Sequence, residues 1–102
     1  MESDWKTFRK MVPHLRERYL KEKNDEIKKA LYADGKSETD RFWGAREKIE
    51  KERKILINCL DGHTRSELIY HMVLMYRCGM LKKEDLKEFS GELQEKITSI
   101  DT

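Results

Sequence analysis

Apolar residues recur along this chain at steps of three and four with charged residues between them, a spacing that predicts helices almost throughout. Trp5, Phe8, Val12, Leu15 and Tyr19 mark the first stripe, and Ile27 and Leu31 continue it. Pro13 falls inside this stripe, where a proline either kinks a helix or stands in its first turn. "ADGKSETD", from Ala33 to Asp40, reads as a turn, and Ser37 or Thr39 is placed to cap a second helix. That helix carries Phe42, Ala45, Ile49, Leu56 and Cys59 on one stripe and "REKIEKERK" on its other faces. Glu47 with Lys51, and Glu50 with Lys54, are spaced for i,i+4 pairing there. "DGHT" at Asp61 to Thr64 ends it, and Thr64 with Glu67 fits a capping box for a third helix. "LIYHMVLMY" (Leu68 to Tyr76) is apolar on nearly all sides, which predicts the most buried element, and Gly79 is a natural cap after it. A fourth helix follows "KKED", with Leu86, Phe89, Leu93, Ile97 and Ile100 as its seam. One run resists typing by period: "KILIN" (Lys54 to Asn58) is short enough to be a buried strand.

Composition narrows the picture. The chain has 102 residues, enough for one small domain that gains core by self-association. Charged residues make up 41% against 37% hydrophobic, and 22 basic side chains face 20 acidic ones. A net charge of +2 with both signs interspersed argues for solvated helices and gives no footprint for nucleic acid. No apolar run approaches 18 residues and the start has no signal-peptide pattern, so no membrane insertion and a cytoplasmic location are expected. His14, His63 and His71 lack metal-ligand spacing, and no metal or other cofactor is called for. The two cysteines, Cys59 and Cys78, form no C-x-x-C pair and read as reduced thiols.

The stretch "NCLDGHTRSE" (Asn58 to Glu67) raises one chemical alternative. Cys59, Gly62, Arg65 and Ser66 follow C-x-x-G-x-x-R-S, the outline of the phosphate-binding loop of cysteine-dependent phosphatases. In such an enzyme the cysteine follows a strand, backbone N–H groups cradle the phosphate, and the arginine grips it bidentately. Nothing before Lys54 reads as a strand, so a sheet to support that loop is missing. Asn58 precedes the cysteine where the signature has histidine, and no separate aspartate loop offers a general acid. A corner between two helices is the reading preferred.

From the second helix onward, "FWGAREKIEKER" and "TRSELIYHMVLMYRCGMLKKEDLKEFSGELQEKI" resemble the fluorescence recovery proteins of cyanobacteria and their relatives in other bacteria. The matching features are Trp43, Glu47, Arg53, the Arg65-Ser66 turn, Gly79-Met80-Leu81, Glu84-Asp85-Leu86 and Lys96-Ile97. "LRERY" (Leu15 to Tyr19) extends the likeness, which covers residues 15 to 100. The resemblance implies an all-α fold, a long helical stalk plus a compact head of about four helices in all, assembled as a homodimer. It also implies a non-enzymatic function: binding the photoactivated orange carotenoid protein and speeding its return to the resting form. Carried over by position, the partner-binding candidates are Trp43, Glu47, Arg53, Tyr70 and Lys96. Arg46 stands where the family has histidine, the turn around "CLDGHT" gains one residue, and the helices are richer in lysine and glutamate. These departures leave open a dimer of the same fold with a different protein partner.

The residues of the second helix give an independent reading of the same face. Trp43 is rotated by about 100° from Phe42, among Arg46, Glu47, Glu50 and Arg53. A tryptophan flanked by arginines has the composition of an interface hot spot, which adds Arg46 to the partner-binding candidates. The alternative for Trp43 is the edge of a core or a dimer seam. Tyr70 and Met72 are by composition more often core than contact surface, and Lys96 alone is an ordinary surface lysine. Leu15, Leu20, Ile27, Leu31 and Phe42 are the candidates for the dimer interface, since helices with such thin seams close little core alone.

Overall fold

The computed structural model describes residues 2–101, Asp101 by its backbone only, and every regular element among them is helical. The all-α expectation holds, and "KILIN" lies inside a helix. Four α-helices run in chain order: α1 (Glu2–Leu31), α2 (Glu38–Leu60), α3 (Leu68–Arg77) and α4 (Gly91–Asp101). Two 3₁₀ turns, Arg65–Glu67 and Lys83–Glu88, precede α3 and α4.

α1 is one continuous helix of 30 residues, so Pro13 neither begins nor ends it. Pro13 and Arg9 are both exposed, so the Arg9 carbonyl, deprived of its usual donor, stands on the wet side of the helix. Gly35 takes a positive φ of 74° in the turn that follows. Ser37 then caps α2 by accepting the Asp40 N–H at 3.0 Å. Arg41 donates from Nε to the Ala33 carbonyl at 3.0 Å and ties the first turn of α2 back to the connection. Contacts of Tyr19 with Glu52 and of Phe8 with His63 continue the same antiparallel register to the other end of the hairpin.

The core gathers at that other end. Phe8, Leu15 and Tyr19 of α1 meet Cys59 of α2, Met72 and Met75 of α3, and Leu93 and Ile97 of α4. Two polar clamps fasten the C-terminal elements to α1. Arg18 grips Asp85 at 2.6 and 3.1 Å and also reaches the Met80 carbonyl at 3.1 Å. Asp4, 3% exposed, takes both the N–H and the hydroxyl of Ser90. By contrast, no residue from 20 to 44 is buried. The molecule is accordingly elongated, 52 × 23 × 23 Å.

Several expectations need correction. Leu15 is 1% exposed within the protomer's own core, so it offers no surface to a symmetry mate. Thr64 and Glu67 form no capping box: Thr64 makes no side-chain cap, and its N–H donates instead to His71 Nε2 at 3.1 Å. The extended backbone at Thr64 leads into the 3₁₀ turn, and α3 starts only at Leu68. The fourth segment is not one helix. Ser90 breaks it, because its hydroxyl accepts the Leu93 N–H at 3.3 Å while Asp4 takes its own donors. Leu86, Phe89, Leu93 and Ile97 are buried as the seam requires, but Ile100 is half-exposed. Glu50 pairs with Arg53 at 3.3 Å in the i,i+3 register and not with Lys54.

Candidate protein-binding site

The chain's exposed apolar side chains lie largely where the core is absent. Leu31 and Tyr32 end α1, and Phe42, Trp43 and Ile49 lie on the opposing part of α2, all of them exposed. Ala45 is the one residue of this part of α2 to be buried. Phe42, three places earlier on the same side of the helix, is nevertheless exposed, as is Trp43. The stripe read from Phe42 through Cys59 is core only at Ala45 and Cys59; Phe42 is 59% exposed.

Trp43 is fixed in place although 56% of it is exposed. Its ring meets Phe42 edge-on at 5.1 Å, and the Arg46 guanidinium lies 5.7 Å from its centroid. The edge of one ring on the face of the next, together with a cation over the π-cloud, are favourable electrostatic contacts that hold side chains in water. Along the helix from there a shallow groove is lined by Trp43, Arg46, Glu47, Glu50, Lys51, Lys54 and Ile55. Three of the expected partner-binding residues, Trp43, Arg46 and Glu47, therefore share one surface with both charge signs and an aromatic anchor. Arg53 lies on the same stretch of α2 but does not line the groove; it is exposed and engaged with Glu50. Lys51, Lys54 and Ile55 were not expected in the groove; Lys51 and Lys54 stand four and seven places after Glu47, the spacing that puts them on its face of the helix.

Tyr70 and Lys96 do not join this surface. Tyr70 is 58% exposed on α3, against the composition of its segment, with its ring 5.9 Å from that of His71. Met72 beside it is fully buried, as composition suggested. Lys96 is exposed on α4 and pairs with Glu92 at 3.4 Å. Seventeen helical residues separate Trp43 from the end of α2, roughly 25 Å of rise, before the chain turns into α3. The expected site is thus not one surface: Tyr70 on α3 and Lys96 on α4 stand on helices other than the one that carries Trp43. Of the expected dimer residues, Leu20 and Ile27 are half-buried and Leu31 is 42% exposed.

The phosphatase outline dissolves at the other end of α2. Cys59 occupies the last turn of the helix, 5% exposed, where the negative end of the helix dipole opposes a thiolate. Its contact with the Cys78 thiol, and then burial, push the Cys59 thiol far above its ordinary value. The Arg65 guanidinium is exposed and pairs with Glu2 at 3.1 Å. Neither strand nor phosphate cradle exists among the described residues, so Cys59 and Arg65 belong to a helix corner. That corner is held by His63 Nε2 at 2.7 Å from the Cys59 carbonyl, and by the positive φ of 68° at Gly62. Among the described residues no group of three or more histidine, cysteine or acidic side chains is placed to hold a metal. No described helix is long and apolar enough to cross a membrane.

No family model, curated protein or solved structure matches this chain.

Proposed function

We propose that this chain is a non-enzymatic protein-binding regulator of the fluorescence recovery protein type, working in the cytoplasm as a homodimer. In this reading the half of the α1–α2 hairpin away from the core is the stalk, and the helices around Met72 and Leu93 are the head. The observation that carries the reading is the exposed, mutually fixed cluster of Phe42, Trp43 and Arg46 at the edge of a charged groove. A preordered aromatic anchor loses little freedom when a partner covers it. The same half of the hairpin leaves Leu31, Tyr32 and Ile49 exposed, apolar surface that a second copy would cover.

The proposed partner is the photoactivated orange carotenoid protein. A binder of the photoactivated form that favours the passage to the resting form speeds recovery by differential affinity alone and needs no covalent step. Mixing the two proteins and following the red-to-orange reversion tests this directly. Acceleration is expected, and it should be lost in Trp43→Ala and Arg53→Ala. A preparation shown by light scattering to be dimeric that gives no acceleration rejects this partner.

A second reading keeps the dimer and changes the partner. Arg46, where the family has histidine, sits on Trp43 itself and alters the centre of the surface. Light scattering tests the dimer separately from the partner, since a mass at the single-chain 12.3 kDa would reject both readings of the assembly.

A further inference from the structure

Cys59 and Cys78 stand 19 positions apart, yet their Sγ atoms lie 3.6 Å from each other. Both are free thiols. Cys59 belongs to the last turn of α2 and Cys78 caps α3, so the two sulfurs meet across the corner that joins these helices. A disulfide needs its sulfurs roughly 2 Å apart, so the pair must close by well under the width of one atom. Their access differs. Cys59 is sealed in the core, while Cys78 is half-buried and lines a shallow hollow with Tyr19, Tyr76, Lys82 and Lys83.

We propose that Cys59 and Cys78 are a reversible dithiol–disulfide site, with Cys78 the sulfur that meets a peroxide first and Cys59 the thiol that resolves it. The Cys78 thiolate attacks one peroxide oxygen, the O–O bond breaks, and the leaving hydroxide takes a proton from water-borne acid to depart as water. Cys78 is then a sulfenic acid. The Cys59 sulfur attacks it, the S–S bond forms, and the Cys59 proton leaves with the displaced hydroxide as a second water. Two electrons pass from the thiol pair to the peroxide, and a small dithiol returns them.

The division of roles follows from the surroundings. The contact with the Cys59 thiol, helped by backbone N–H groups including that of Met80, outweighs burial and holds the Cys78 thiol below its ordinary value, and Cys78 Sγ also lies 3.4 Å from the Met75 carbonyl. Cys59 is held as the neutral thiol by the same contact. A half-buried cysteine lining a surface hollow is the nucleophile, and a buried neutral one beside it is the resolving partner. The bond would tie the end of α2 to the cap of α3 without moving the Trp43 surface.

The test uses the full chain, reduced and then freed of reductant. One equivalent of hydrogen peroxide should abolish both free thiols measured in denaturant, yield one peptide pair linked through Cys59 and Cys78, and reverse with dithiothreitol. Cys59→Ser, shown folded by circular dichroism, should stop at a sulfenic acid on Cys78 that dimedone traps. Cys78→Ser should consume peroxide at least about tenfold more slowly than the wild type. Thiols that survive in the wild type, a disulfide joining two chains, or equal consumption by Cys78→Ser would overturn the proposal. The wild-type arm decides the matter even where a variant fails to fold.

Discussion

Asp4 and Ser90 lie 86 positions apart and are joined by two hydrogen bonds, with Oδ1 accepting the Ser90 N–H at 2.8 Å and Oδ2 its hydroxyl at 2.7 Å. The carboxylate is buried, so both oxygens depend on these donors. The pairing closes the first turn of α1 onto the start of α4. Removing it strands the Ser90 N–H and leaves α4 without its anchor. Asp4→Ala should therefore destabilise the fold by about 2 kcal/mol, read from urea denaturation midpoints. Asp4→Asn, which keeps one acceptor, should cost less.

The Arg18–Asp85 clamp makes a prediction in acid. Burial pushes the Asp85 carboxyl up, but the Arg18 hydrogen bond and the Lys82 N–H at 2.7 Å outweigh it and hold it below the usual carboxylate range. With the folded value depressed, the unfolded chain takes up its proton first as pH falls. The contribution is thus fully present above about pH 4 and is lost as pH drops through the lower folded value. Asp85→Asn should flatten this acid limb of stability against pH. The Arg18 side chain is 40% exposed, so solvent screens the pair, and Arg18→Ala should cost only about 1 kcal/mol at neutral pH.

His71 supplies a second and separate pH window. Burial first, and His63 nearby, lower its pKa against a small opposing pull from Glu67. The folded state therefore prefers the neutral ring, whose Nε2 accepts the Thr64 N–H. As pH falls below about 6.5 the unfolded chain protonates first and stability declines until the lower folded value is passed. Thermal midpoints should fall between pH 7 and pH 5.5, and His71→Gln should remove part of that slope.

How much of this could be read from the letters differs by element. The stripe of α1, the Ser37 cap, the stop at Asp61-Gly62 and the turn at Gly79 followed from local chemistry, because each depends on neighbours within four residues. What escaped was long-range. Ser90 looks like an ordinary helical serine until Asp4 captures its donors from the far end of the chain. Thr64 and Glu67 match a capping box by spacing, but His71 takes the N–H that defines the turn. Cys59 and Cys78 meet only because a corner folds α3 back along α2. On α2, sequence found Trp43, Arg46 and Glu47 together because they share one helix face. It joined Tyr70 and Lys96 to them by resemblance alone, and the fold keeps those two on other helices.

Gly44 tests whether the bare half of the hairpin is under constraint. It sits inside α2, where glycine lowers helix stability, and a Cβ added there would meet nothing within 4 Å. Gly44→Ala should then stabilise the protomer by about 0.5–1 kcal/mol. If a second copy approaches this side closely, the same change should weaken the dimer in light-scattering dilution series while raising helicity. Gain in both would place the partner copy elsewhere.

Trp43 and Leu15 should behave as opposites, although both are large apolar residues on long charged helices. Leu15 is 1% exposed in the core, and Leu15→Ala should cost about 2–5 kcal/mol through lost burial and the cavity left behind. Trp43 is more than half exposed and its ring contacts are with Phe42 and Arg46, which are themselves exposed, so Trp43→Ala should change stability by less than about 1 kcal/mol. Circular dichroism and urea midpoints measure both. A loss comparable to that of Leu15→Ala would make Trp43 a structural residue. Near-neutral stability, with the partner effect abolished, is the result that assigns its exposed ring to recognition.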